Sequence, residues 1–139
     1  MNKKEYIILG ITAMFFIIVI AVISIINNKG SWINEILKAD SYKITMQDCN
    51  NKIVELPKES VKEILNKIKK SSDNGPWTGD NNKCYTTIII KYNIKEIVQQ
   101  REIKIIDKSS IAVNLNDGDR YYVNAEEAIN HANSLFSIY

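Results

Sequence analysis

The chain has 139 residues, a formal net charge of +2 and two cysteines. That length predicts one domain plus an appendage. Beyond residue 30, 15 basic groups face 15 acidic ones, spread evenly. A nucleic-acid binder needs a concentrated basic face to displace counterions. None is visible, so nucleic acid is set aside as a partner.

Residues 6–26 read YIILGITAMFFIIVIAVISII, 21 residues without a charge. As a helix this segment is ~31 Å long and matches a bilayer core of ~30 Å. No face of it is polar, which argues against a buried core helix. It exceeds the ~7–15 residues of a signal-peptide h-region. No small-x-small cleavage site follows it, and neither does a cysteine that could carry a lipid. Residues 6–26 are therefore expected to be an uncleaved transmembrane signal anchor and to bind the lipid bilayer. Lys3 and Lys4 put the N-terminus in the cytoplasm, although Lys29, Lys38 and Lys43 weaken the bias. The expected layout is a cytoplasmic tail at 1–5, the anchor at 6–26, a juxtamembrane connector at 27–40 and an extracytoplasmic domain at 41–139.

In the connector, Trp32, Ile33, Ile36 and Leu37 recur at helical spacing. They form either a short helix at the membrane surface or the first turn of the domain core. From Ser41 the period becomes two: Tyr42, Ile44 and Met46 share one face of a strand. Residues 49–52 supply a turn, and 53–56 return as a second strand. Pro57 opens a helix whose Val61, Ile64, Leu65 and Ile68 form one apolar stripe. Lys67, Lys69 and Lys70 suit its C-terminal end.

Residues 71–83, SSDNGPWTGDNNK, are expected to be a long loop. Strands follow at 84–93, 98–107, 111–115 and 121–124. The Ile88-Ile89-Ile90 run suggests a central strand covered on both faces. A type I′ turn at Asp117-Gly118 would set Leu115 opposite Arg120 and Val113 opposite Tyr122. In the last helix Asn124 is the expected N-cap, with Glu127 completing a capping box. Its expected buried stripe is Ala128, Ile129, Ala132, Leu135, Phe136 and Tyr139. The fold class that follows is α+β: one N-terminal transmembrane helix, then a small antiparallel sheet with two helices packed on one face.

Little in the sequence points to catalysis. Outside the cytoplasm, Cys49 and Cys84 suggest a disulfide, with unpaired thiols or redox thiols as the alternatives. There is no Cys-x-x-Cys spacing to lower a thiol pKa. His131 is the only histidine. It lacks ligand company at metal-binding spacing, and a Cys–His nucleophilic pair would lack an orienting group. Asp117 and Asp119 flank Gly118, yet Asn124 stands where a calcium loop needs Glu. No cofactor and no metal are expected. Trp77 is either a lid over the end of the sheet or an anchor residue for a partner. Tyr121 is a second candidate binding aromatic.

The Lys3-Lys4 plus 6–26 anchor, the composition of 26 Ile, 16 Lys and 16 Asn, and the hairpin, helix, antiparallel-sheet order over 41–124 resemble a known group. These are the small tethered or lipid-anchored extracytoplasmic domains of unknown function in low-GC Gram-positive bacteria. The resemblance implies no catalytic residue. The expected function is a membrane-tethered, non-catalytic binding module for a protein or envelope component, using 71–83 and the nearby sheet edge. The competing class is a thiol-dependent envelope enzyme using Cys49 or Cys84.

Overall fold

The computed structural model describes residues 2–28, 31–116 and 118–139, with the side chains of 24–28 set aside. Asn2 Oδ1 accepts the Glu5 N–H at 3.0 Å, and Glu5 Oε2 accepts the Asn2 N–H at 2.8 Å. This reciprocal box satisfies two backbone donors that a helix start leaves open. It begins α1 (Lys3–Asn28), of 26 residues. Inside α1 the Thr12 hydroxyl donates to the Ile8 carbonyl at 2.8 Å, so a polar group is satisfied within an apolar stretch. Lys3–Ile23 is long and apolar enough to cross a membrane by length and composition. Met1–Ser31 is one compact unit and Trp32–Tyr139 is a second.

The second unit contains α2 (Ser31–Leu37) from Trp32 onward, β1 (Ser41–Gln47), β2 (Ile53–Glu55), α3 (Lys58–Lys69), β3 (Ser72–Pro76), β4 (Thr87–Ile94), β5 (Ile97–Ile105), β6 (Ile111–Leu115), β7 (Gly118–Val123) and α4 (Glu126–Ile138). The strands form one antiparallel seven-stranded sheet in the order β2-β1-β4-β5-β6-β7-β3. The fold is α+β, as the sequence predicts.

Register assigns the faces. Ile44 pairs with Ile90, Met46 with Ile88, Ile88 with Ile103, and Ile111 with Tyr122. These residues are all buried, so they define the core face. The α3 stripe of Val61, Ile64, Leu65 and Ile68 joins the same core, as do Ala128, Ile129 and Ala132 of α4. β4 is central, but Ile89 on its other face is only partly covered. The opposite, outer face carries Lys43, Lys91, Glu102 and Lys104.

Of the two readings of the connector, burial supports the second: Trp32, Ile33 and Ile36 are buried, which makes α2 part of the core. Trp32 is 4% exposed, and its Nε1–H donates to the Tyr122 hydroxyl at 3.1 Å. Other expectations are corrected. The packed unit thus begins at Trp32, ahead of the expected 41. Part of the expected 71–83 loop is strand β3. Its residues lack strand propensity, and it is held by pairing with β7 and by Arg120 Nη2, which donates to Asp73 Oδ1 at 2.9 Å and Oδ2 at 2.8 Å. Pro76 is tolerated because β3 is an edge strand.

The β6–β7 register differs by two residues from the expected one. Val113 opposes Arg120 and Ile111 opposes Tyr122. A shift of two preserves the pleat, so the apolar pattern cannot separate the two registers. Asp117 lies outside the described residues. Asn124 is not the cap of α4: it adopts φ 58°, its side-chain N–H₂ reaches Ser72 Oγ at 3.4 Å, and Ala125 takes the cap position. Tyr139 is exposed and outside the stripe.

The β4–β5 hairpin closes on the Ile94–Ile97 pair, and its two turn residues, Lys95 and Glu96, have φ of 49° and 68°. A type I′ turn demands that conformation and favours Asn-Gly. Each non-glycine residue held there costs roughly 1–2 kcal/mol. The Lys95→Asn/Glu96→Gly double variant is expected to raise stability by about 1–2 kcal/mol in denaturant melts.

Candidate functional site

β3 lies beside β7, whereas β4 lies between β1 and β5. Residues 77–86 must therefore cross the sheet to connect them. Lys104 shows which face they take. Its register neighbours are Thr87 and Ala112, on the outer face of β5. Its Nζ donates to Asn81 Oδ1 at 3.0 Å and lies 5.1 Å from the centre of the Trp77 ring. Ala112 occupies an outer-face position yet is 2% exposed. The crossover thus lies over the outer face, and Trp77 lies on that face with it.

The crossover is clamped at both ends. At its start the Trp77 N–H donates to the Asp119 carbonyl at 2.9 Å, which extends the β3–β7 ladder. At its end Cys84 is bridged to Cys49, with Cα atoms 5.9 Å apart. The bridge is possible because β1 and β4 pair antiparallel through Gln47 and Thr87, beside the turn that holds Cys49. Asp48 shapes that turn by accepting the N–H groups of Asn50 and Lys52, both at 2.9 Å. No free cysteine remains among the described residues.

Between the clamps the chain is internally tied. Trp77 and Tyr85 meet edge to face, with ring centres 5.9 Å apart and planes at 78°. The Tyr85 hydroxyl donates to the Asp80 carbonyl at 3.2 Å, and Asp80 Oδ1 accepts the Asn82 N–H at 2.8 Å. Gly79 is required by contact: a Cβ there would collide with Cζ2, Cε2 and Nε1 of the Trp77 indole. Gly79→Ala is expected to displace Trp77 and lower stability by about 1–3 kcal/mol. The readout is a red shift in tryptophan emission alongside an earlier melt. Tyr121 lies on the same outer face, opposite Ala112, and is half-buried. The two candidate aromatics thus share a face, with Tyr85 as the aromatic neighbour that sequence reasoning did not single out.

Elsewhere, His131 stands at the α3–α4 seam. Its Nε2 is 2.9 Å from Glu63 Oε2 but outside hydrogen-bond alignment, so the contact is ionic when the imidazole is protonated. No group of three or more His, Cys, Asp or Glu residues that could hold a metal occurs among the described residues. A buried polar cluster escaped notice. Arg101, 5% exposed, occupies a core position of β5 and donates to Asn116 Oδ1 at 3.0 Å. Near it the Tyr92 hydroxyl is buried, with Arg101 and Glu35 as its polar neighbours and no well-aligned hydrogen-bond partner among the described residues. Burial raises the Tyr92 pKa, Arg101 opposes that rise, and Glu35 adds to it. The period-two pattern that places Ile103 inward also places Arg101 inward, and this was the available signal.

Together these features define a small α+β domain with a disulfide-clamped crossover on the open face of its sheet. No family model matches the chain. No curated protein matches it. A solved structure described as "Crystal Structure of Putative Lipoprotein from Clostridium perfringens" matches with a TM-score of 0.57 at 18% identity. The match covers 81% of this chain and 96% of that one. At this identity the likeness shows the fold.

Proposed function

We propose that this chain is a membrane-tethered extracytoplasmic binding module without catalytic activity. In this reading 6–26 crosses the bilayer with the N-terminus in the cytoplasm, and the disulfide-bonded domain faces outward. Three observations support the setting. An apolar helix of bilayer length precedes the domain, and disulfides persist in oxidising compartments. The fold is shared with a protein described as a "Putative Lipoprotein" from Clostridium perfringens, a low-GC Gram-positive bacterium, which agrees with an envelope location.

The observation that carries the binding role is the clamped crossover. Trp77 and Tyr85 sit on an irregular segment that two tethers hold in one conformation. Preorganised aromatics lose little entropy on binding and are frequent hot spots. The partner is a protein or envelope component meeting the outer face at Trp77, Tyr85 and Tyr121. The bridge ties up both thiols that an enzyme reading would use.

Photo-crosslinking from position 77 in intact cells tests this, with position 129, in the core, as control. A discrete adduct to another molecule from position 77 alone is expected. Intramolecular adducts alone, from a folded protein, would make Trp77 a structural cover.

A further inference from the structure

The edge strand β3 carries a bulge at its middle. Along β3 and β7, Ser72 opposes Val123, Asp73 opposes Tyr122 and Pro76 opposes Arg120. Asn74 and Gly75 therefore stand where β7 offers one residue, Tyr121. A bulge of this kind leaves a residue out of the ladder. The Gly75 N–H turns instead to a side chain: it donates to Asp73 Oδ1 at 2.9 Å, the bond of an Asx turn. The other side of β3 has no neighbouring strand.

Asn74 is also distinctive in sequence. It precedes a glycine, whereas the other asparagines all precede residues with a side chain. Asn74 is exposed, and its side chain makes no hydrogen bond among the described residues. Gly75 has φ 90°, and a Cβ built there would meet nothing within 4 Å. Its surroundings are open, and a glycine presents no side chain to hinder a ring closing on its nitrogen.

We propose that Asn74 is a site of spontaneous deamidation in the folded protein. The Gly75 nitrogen loses its proton to hydroxide and bonds to Asn74 Cγ. The Cγ–Nδ2 bond breaks, and Nδ2 leaves as ammonia. Water then opens the cyclic imide at one of its two carbonyl carbons. Opening at Cγ leaves aspartate. Opening at the backbone carbonyl carbon leaves isoaspartate, whose main chain runs through Cβ and Cγ and is one carbon longer. Both products carry a new carboxylate, ionised at neutral pH.

The bulge lets the sheet tolerate the change. The added carbon falls between register pairs, so Ser72 stays opposite Val123 and Pro76 opposite Arg120. The new carboxylate stands one residue from Asp73, which already holds Arg120 Nη2 at 2.8 and 2.9 Å. Negative charge thus accumulates with age at the root of the crossover that Trp77 begins.

The test incubates the full chain in micelles at neutral and at mildly alkaline pH, beside a reduced chain in denaturant, and reads each against an unincubated aliquot. After reduction and trypsin, the 71–83 peptide holds Asn74, Asn81 and Asn82. Fragment ions separate the three. The folded protein is expected to show the amide-to-acid mass gain at Asn74 alone. The gain should grow with time, grow faster at the higher pH, and split into two chromatographic peaks, aspartate and isoaspartate. Asn74→Gln should lose the gain and keep the wild-type circular dichroism, because the longer side chain closes its ring poorly. An intact Asn74 in the folded chain, beside deamidation in denaturant, overturns the proposal: the fold would then protect the site. Equal gains at Asn81 and Asn82 overturn it too, since the bulge would then confer nothing.

Discussion

Replacing Cys49 and Cys84 with serine is expected to lower stability by about 4 kcal/mol. The bridge spans a sequence separation of 35 and closes a loop holding β2, α3, β3 and the crossover. Without it the unfolded chain regains that loop's freedom. A small domain has only about 5–15 kcal/mol in total, so the loss is severe. The melting temperature should fall by about 15 °C or more. Thermal melts of the full chain in micelles, with and without reductant, check this. Reduced wild type and the double serine variant should melt alike. An unchanged melt would mean that sheet pairing alone orders the loop. The variant should also lose crosslinking from position 77 below its melting point, because Cys84 clamps the end of the crossover that Trp77 begins.

Trp32→Ala is expected to cost about 3–5 kcal/mol, the range for removing a buried large aromatic. The substitution empties a site between α2 and the sheet and removes the indole N–H that Tyr122 accepts at 3.1 Å. The rings of Trp32 and Tyr122 also pack at 6.4 Å between centres, so shape is lost with the hydrogen bond. Trp32→Phe should retain most of the packing and cost about 1–2 kcal/mol. Chemical denaturation in micelles separates this from an interfacial role. A membrane-surface tryptophan would leave the denaturation midpoint unchanged and weaken only lipid partitioning.

The parts of the fold that were legible share one property: a single periodic pattern decided them. The α3 stripe and the alternation in β1 and β4 needed no partner to be read. What was not legible depended on distant residues. β3 has the composition of a loop, and its strand geometry comes from β7 and from Arg120. The β6–β7 register was ambiguous by a step that preserves the faces. Asn124 reads as a cap by residue type, yet its positive φ removes it from that role. Trp32 suits both an interface and a core, and Tyr122, 90 residues away, decides between them. Within the site, Trp77 and the cysteine pair were visible as unusual residues. Their relation was not, because sequence order hides that 77–86 crosses the outer face with Cys49 at its far end.

The central claim is an oxidised domain displayed outside the membrane. Membrane-impermeant maleimide labelling in intact cells tests it most directly, since Cys49 and Cys84 are both exposed. The account predicts no labelling of untreated cells, and labelling of both residues after an impermeant reductant is added outside. Labelling that requires cell lysis, or free thiols in lysate prepared without reductant, would contradict it.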